Sequence, residues 1–498
     1  MTDKEFDLYL EETMDCPPPA ELSEEFTPWR TAMSRILWGT GWTTLTFSFL
    51  YLDVILPAVG WMMQLLGYRA LRKENGWFRL GYVLSWVRLL WWLGVFAVRA
   101  TIYANEPMVE RILTIGAHAM VIPGFLILLA LRNGICAVQR KVGLTADLGY
   151  GLLVWYLIFL AFALVQYQGF LVWGMMISYI CILRYLYTLS KELDEAGYAV
   201  SPAPVRVGDT AAKRIYAGVM ALALLVGFCF FGSYPMDWKP VTASEEPEVQ
   251  TVRRELLELG FPEHILDDLT EEDLLSCAGA QRIVVDVEDH PVNNGREEAE
   301  QRSDGLYLHT VYDQKELRIT GIAVELPGER ATWKLIHHFQ WVIDPGFRGT
   351  EVLHLWPAYR KDQGGWASGS GFTGQVLYTD GGETYASPYH SLGQETYTLN
   401  SVFWGAQTTT DAFAEFSLPN RGENHRGYIA YTVAASQEGW GIDAWINYTH
   451  QTPWPQYPTI TAKQKHQTSG VSDTRTFKTV QDALQFFPWD ENPVPYGD

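Results

Sequence analysis

Ten of the eleven histidines fall after residue 233, and that clustering raises the question of a metal centre. A chelating site legible in sequence needs ligands on one face, as in His-x-His on a strand or His-Glu-x-x-His on a helix. Neither spacing occurs, and the adjacent His337 and His338 would point to opposite faces of a strand, so no metal site is predicted. Hydrolytic chemistry is no better supported. No Gly-x-Ser-x-Gly elbow is present, and Ser368-Gly369-Ser370-Gly371 reads as a loop. The carboxylates are too many for an acid–base couple to stand out. Catalytic residues and cofactors are therefore predicted to be none.

The aromatic residues carry more. Trp356, Tyr359 and Trp366 share one loop between strands, and Trp404, Trp440 and Trp454 sit near other turns. Flat rings on the rim of a β-domain grip sugars or peptides because they bury area at little entropic cost. Trp356, Tyr359, Trp366, Trp404 and Trp440 are the candidate ligand-binding residues. The same rings would equally suit a core or an anchor at lipid headgroups.

A second polar constellation lies in apolar sequence. Arg88 is deep in the apolar run 80–102, and Asp53 interrupts the run 36–66. Charge in a bilayer is costly and calls for a partner, so Asp53 and Arg88 are a candidate intramembrane pair, either a polar path or an ion pair that locks two helices. Arg99 and Arg184 lie near span ends and can snorkel, and His118 reads as a hydrogen-bonding histidine.

These residues need elements to hold them. A membrane-spanning helix takes about 20 mostly apolar residues. Residues 80–102, 112–131, 148–167, 169–188 and 214–232 satisfy this, and the third and fourth form a tight hairpin. The stretch 36–66 is too long for one upright span and too short for two, so Asp53 and Pro57 are predicted to mark a kink or a re-entrant turn. Basic residues alternate between connections. Arg69, Arg72, Lys73 and Arg79 fill one, Arg132, Arg140 and Lys141 the next but one, and Lys191, Arg206, Lys213 and Arg214 another. The positive-inside rule places these in the cytoplasm and everything after residue 232 outside. The acidic tail 1–33 has no apolar signal-peptide core; it lies outside if 36–66 crosses once and inside, the reading taken here, if that segment returns.

The motif Asp53-Val-Ile-Leu-Pro57-Ala-Val-Gly60, followed by Leu66-Gly-Tyr-Arg69-Ala-Leu-Arg72-Lys-Glu-Asn75-Gly-Trp-Phe78, resembles a pattern in uncharacterised multi-pass membrane proteins of Firmicutes. The resemblance covers about 30–50 residues, within roughly 40–80. It implies membrane architecture and brings no activity or site residue with it.

Residues 233–280 read as a linker and a small helical module. Pro247 suits a helix start, Gly260 a helix end, and Thr270 with Asp273 a capping box. The Leu259-Gly260-Phe261 turn resembles that of ubiquitin-associated domains; a spacer packed on the next domain is the preferred reading. From 281 to 498 the pattern is strands, clearest where Trp333, Leu335, His337, Phe339, Trp341 and Ile343 alternate against Lys334, His338 and Gln340. A final helix is predicted over 480–487, with Leu484 and Phe487 facing the sheet. The fold class is an α-helical multi-pass membrane bundle followed by a mostly-β, sandwich or jelly-roll-like soluble domain.

The formal net charge of −20 argues against nucleic acid as a partner. Of five cysteines only Cys277 lies in the β-domain, so no internal disulfide can form there, and a bacterial envelope fits better than a eukaryotic secreted setting. On that setting the glycosylation-like Asn447-Tyr448-Thr449 is an accidental match. The predicted partners are the lipid bilayer and a cell-wall glycan or another envelope protein. The function expected is ligand or partner binding, or envelope sensing, by an extracytoplasmic β-domain; a transporter or transporter accessory, and an exported envelope enzyme, are the alternatives.

Overall fold

The computed structural model describes residues 27–496, except 46–48, 146–148, 166–168, 197, 199, 201–202, 303–304, 361–363 and 402–404. Most of the acidic tail therefore lies outside the described residues. The chain divides into two compact units, residues 1–98 with 106–225, and residues 99–105 with 226–498.

The first unit is helical. Helix α1 (Pro28–Thr44) starts on Thr27, whose side chain accepts from the Arg30 N–H, and helix α2 (Leu52–Leu71) runs back against it. Glycines let the two backbones meet. A Cβ on Gly39 would lie 2.7 Å from the Gly60 carbonyl oxygen, and one on Gly67 would lie 2.7 Å from that of Ala32. Gln64 Nε2 donates to Thr40 Oγ1 across the same contact at 3.1 Å. The segment 36–66 is thus part of a helical hairpin in which α1 ends at Thr44 and α2 begins at Leu52, so the interruption comes before Asp53 rather than at Asp53 and Pro57. Leu45 is extended and Tyr51 left-handed, while Asp53 sits in the first turn of α2, where the exposed N–H groups favour a carboxylate. Pro57 stays inside the helix and removes the N–H that would bond the Asp53 carbonyl. Gly67→Leu should drive a side chain into Ala32 and Ile36 and cost about 1–3 kcal/mol. A lowered midpoint of detergent-titrated unfolding checks this; an unchanged midpoint contradicts the hairpin contact.

Six helices follow: α3 (Gly76–Arg99), α4 (Pro107–Ala119), α5 (Val121–Val142), α6 (Gly151–Leu164), α7 (Leu171–Glu195) and α8 (Asp209–Phe230). Among the described residues, five stretches are long and apolar enough to cross a membrane: Leu52–Leu71, Gly76–Arg99, Pro107–Val142, Leu171–Glu195 and Asp209–Phe230. Two expectations change here. The predicted span 112–131 belongs to a 36-residue stretch divided at Met120, and the described helix within 148–167 has only 14 residues. Large apolar side chains such as Trp173, Leu222 and Leu225 stay exposed on these helices, a surface that suits lipid. The chain is a multi-pass membrane protein by these helices. The basic connections converge: Arg69, together with Arg35 of α1, bonds Asp209, Arg72 donates to the Pro204 carbonyl, and Lys141 lies 3.4 Å from Glu74.

The second unit is a β-sandwich with short helices. Its eight-stranded antiparallel sheet runs β1 (Lys239–Pro240), β10 (Glu383–Pro388), β9 (Thr373–Asp380), β13 (Glu423–Ala435), β6 (Thr332–Trp341), β5 (Leu317–Leu326), β2 (Ile283–His290), with β8 (Trp366–Ser368) also on β13. The other sheet runs β11 (Ser391–Ser401), β12 (Gly405–Phe416), β7 (Glu351–Trp356), β14 (Ile442–Gln451), β15 (Phe477–Phe486). Strands β3 (Arg296–Arg302) and β4 (Gly305–Val311) form a separate hairpin. The sheets share one core, in which Leu335 and Phe339 of β6 join Leu355 of β7, Phe416 of β12 and Ile446 of β14. The predicted helix over 480–487 is strand β15. Val480, Leu484 and Phe486 alternate toward the shared core, and pairing with β14 overrides the local helical pattern.

Strand β6 alternates as predicted up to Trp341, where it ends and leaves Ile343 exposed. Its outer face meets the helical module α9 (Pro247–Glu258), α10 (Glu263–Leu266) and α11 (Glu271–Leu275), which covers Ile322, Val324, Ile336 and Tyr428. The module is therefore a spacer docked on the sheet, pinned by buried ions. Lys334 Nζ lies 2.6 Å from Asp273, and His338 Nε2 lies 2.9 Å from Asp268, which also accepts from Arg426. On the inner face His337 is buried, its imidazole is pushed down to about 4 by burial, and its Nε2 has no hydrogen-bond partner. Residues 99–105 belong to this unit: Ile102 donates to the Phe231 carbonyl, and Thr459 to that of Arg99.

Candidate functional site

The outer face of the five-stranded sheet is partly covered by helix α12 (Ala462–Ser469), which opens with a capping box of Thr461 and Gln464. Beside this helix the sheet leaves a cleft of about 830 Å³. Strand alternation decides what faces it. Leu353 and Leu355 of β7 go to the core, so His354 and Trp356 go outward; Ala412 and Ala414 of β12 go inward, so Asp411 goes outward. Trp356, Tyr359, Arg360, Tyr397, Asp411 and His466 line the cleft, with Gln394 and the threonines 408–410 along its rim.

Asp411 is the polar centre. Its Oδ2 accepts from the Tyr397 hydroxyl at 2.8 Å, and His354 Nε2 lies 3.2 Å away. The His354 contact falls short of hydrogen-bond geometry, so Nε2 sits beside the carboxylate without donating a full hydrogen bond to it. Asn447 Nδ2 donates to His354 Nδ1 at 2.9 Å, which leaves the imidazole proton on Nε2, toward Asp411. Asn447 is buried by this role, so the glycosylation-like motif does not present an acceptor at the surface. Arg360 lies 3.9 Å from Asp411, donates to Thr409 Oγ1 at 3.3 Å, and covers the Trp356 ring with its guanidinium 5.1 Å from the centroid.

Burial pushes the Asp411 carboxyl up, but contacts with His354 and Tyr397 and the charge of Arg360 outweigh it and hold the group below the ordinary carboxylate range. Burial lowers the His354 imidazole against the pull of Asp411. His466 stacks on His354 with ring centroids 4.0 Å apart; burial, then the charges of His354 and Lys465, push it down to about 2. At neutral pH the cleft therefore holds one carboxylate, one guanidinium and two neutral imidazoles. Tyr359 extends the aromatic wall and accepts from Gln394 Nε2 at 2.8 Å.

Of the candidate ligand-binding residues, Trp356 and Tyr359 line the cleft and the other described ones do not. Trp366 is only 6% exposed and belongs to the core, where its Nε1 donates to the Gly441 carbonyl at 2.9 Å. Trp440 is exposed elsewhere, against Gly364 and Gly365. Trp404 lies outside the described residues. Sequence reasoning missed Arg360, Tyr397, Asp411 and His466. Arg360 was visible as the neighbour of Tyr359, whereas the others reach the cleft only through pairing of β11, β12 and β7 and the return of α12.

The intramembrane pair is not formed. Asp53 is exposed on α2, and the Arg88 guanidinium lies over the Trp61 ring, 4.2 Å from its centroid. The structure shows no ion pair between Asp53 and Arg88, so an aromatic face takes the place expected of a carboxylate. Arg88→Met should leave insertion unchanged and the free energy of unfolding within about 1 kcal/mol of wild type, because no stranded countercharge results. A large drop in either would show that Arg88 has a polar partner.

No family model matches the chain, and no curated protein matches it. Among solved structures, one described as a pore forming protein is 8% identical, with 38% of this chain and 95% of that chain covered and a TM-score of 0.17. Another, described as AvmM, which catalyses macrocyclization in alchivemycin A biosynthesis, is 12% identical, with 34% and 83% covered and a TM-score of 0.15. Superpositions this poor carry nothing about fold or activity.

Proposed function

We propose that this protein is a bacterial cytoplasmic-membrane protein whose β-domain faces outward and binds a glycan of the cell envelope in the Trp356–Tyr397 cleft. The observation that carries the reading is the pairing, in one cleft, of aromatic faces with a rim of hydroxyl, amide and guanidinium groups. A sugar ring has an apolar C–H face for the first and equatorial hydroxyls for the second. The buried Asp411 fixes Tyr397 and holds the guanidinium nearby, so the polar groups are positioned before a ligand arrives.

The sidedness rests on the alternation of Lys and Arg among the connections. Their convergence on Asp209 and Glu74 supports placing them together at one end of the bundle. A reporter fused after Asp498 should be active only outside the cytoplasm; activity confined to the cytosol overturns the envelope role. For binding, the full-length protein in lipid nanodiscs is titrated with soluble muropeptides and with teichoic acid, with tryptophan fluorescence as the readout. Saturable quenching that disappears on competition with the same glycan supports the reading. Absence of binding to either polymer sinks it, and turnover of either converts it into an enzymatic one.

A further inference from the structure

The two sheets bring their edge strands together at β2 and β15, and there the core is not apolar. Register places Asp286, Glu288 and His290 on the face of β2 that continues from the core residue Val284. Asp482 lies between the core residues Val480 and Leu484 on the facing side of β15. One ligand atom from each of Glu288, His290 and Asp482 lies within 4.8 Å of the others.

We propose that Glu288, His290 and Asp482 form a binding site for a first-row divalent cation of the Zn²⁺ type, closed by the meeting of the two sheet edges. His290 Nε2 is buried without a hydrogen-bond partner and stands 3.6 Å from Asp482 Oδ2. That separation is long for a hydrogen bond, but two ligands at about 2.0–2.1 Å from a tetrahedral Zn²⁺ lie roughly 3.3 Å apart. The other Asp482 oxygen is held by the Ala483 N–H at 2.7 Å, which turns Oδ2 toward His290.

A further buried histidine lies near this edge without belonging to the cluster. His337 on β6 is 1% exposed, and its Nε2 has no hydrogen-bond partner. It lies on the inner face, in register with Gly321 and through it with Asp286, and the Leu484 side chain packs over Gly321. The ring is close enough to Asp482 to feel its charge. The unpartnered imidazole nitrogen of His290 beside the Glu288 and Asp482 carboxylates forms a mixed nitrogen–oxygen donor set, which selects transition-metal dications over Mg²⁺ or Ca²⁺. Glu288 is exposed and gives the ion its way in. The site is independent of the glycan cleft, which lies on the outer face of the five-stranded sheet.

The test uses the full-length, tag-free protein in detergent, stripped with chelator, loaded with Zn²⁺ alone and dialysed before metal analysis. One equivalent should be retained, and Co²⁺ should give the visible absorption of a low-coordinate nitrogen–oxygen site. His290→Ala, Asp482→Asn and Glu288→Gln should each weaken retention by roughly tenfold or more. Glu288 is at the surface, so its variant carries the test if either of the others fails to fold. No retained equivalent in wild type, or equal retention in wild type and every variant that folds, overturns the proposal.

Discussion

Trp356→Ala is expected to weaken muropeptide or teichoic acid binding by about 10- to 100-fold, corresponding to roughly 1.5–3 kcal/mol. Arg360 rests over the ring, which in the proposed complex is also the floor for a sugar face, so its removal costs apolar contact and the guanidinium's position together. Tyr397→Phe is the sharper companion. It keeps the ring and removes only the hydroxyl donated to Asp411, so the loss should be smaller, about three- to tenfold. Isothermal titration of the three full-length proteins against one purified polymer gives both values. If Trp356→Ala binds as wild type does, the cleft is not the binding surface, whatever the domain recognises elsewhere.

Asp273→Leu should destabilise the packing of the helical module on the sheet by about 3–5 kcal/mol, because it strands the Lys334 ammonium in a site 4% exposed. The carboxylate also accepts from the Tyr428 hydroxyl and from Thr373, so several buried donors lose their acceptor together. Pairing the change with Lys334→Met should recover part of the loss: the stranded charge goes, while Tyr428 and Thr373 stay short of an acceptor. Amide exchange across residues 271–277 of the full-length protein reads the effect locally. Exchange rates equal to wild type in the single variant would show that the ion pair holds nothing in place.

The same carboxylate supplies a pH dependence of known sign. Burial pushes the Asp273 carboxyl up, but the charge and bonds of Lys334 outweigh it, so its folded value lies below the ordinary 3.8. A depressed acid stabilises the folded state in full above the unfolded value and loses that contribution as pH falls toward and through the folded one. The difference in protection between wild type and the Asp273→Leu, Lys334→Met pair should therefore be constant at neutral pH and shrink below about pH 4. A difference that grows on acidification contradicts the assignment.

Much of this architecture follows from patterns that act over short range. Long apolar runs mark helices that water would not tolerate, and the alternation through Trp333–Trp341 fixes which side of β6 meets the core and which meets Asp273 and Asp268. Pro247 and the Thr270 cap also act within a single turn, and both mark helix starts as read. Where local signals compete, the sequence misleads. Residues 480–487 have helical spacing, yet the unpaired edge of β14 takes them as a strand, and 36–66 divides where a left-handed Tyr51 allows it rather than at Pro57.

The sites depended on distance in sequence being erased. Asp411 meets His354, which lies 57 residues earlier, and Asp482 meets His290, which lies 192 residues earlier, only because strands pair and sheets close. No spacing rule reaches across such gaps, since the position of each partner is set by register and sheet stacking. Aromatic character alone could not separate Trp356, which faces the cleft, from Trp366, which fills the core; the difference is which face of which strand each ring leaves. Residue type thus determined what chemistry was possible, and the tertiary structure decided which of those residues could act together.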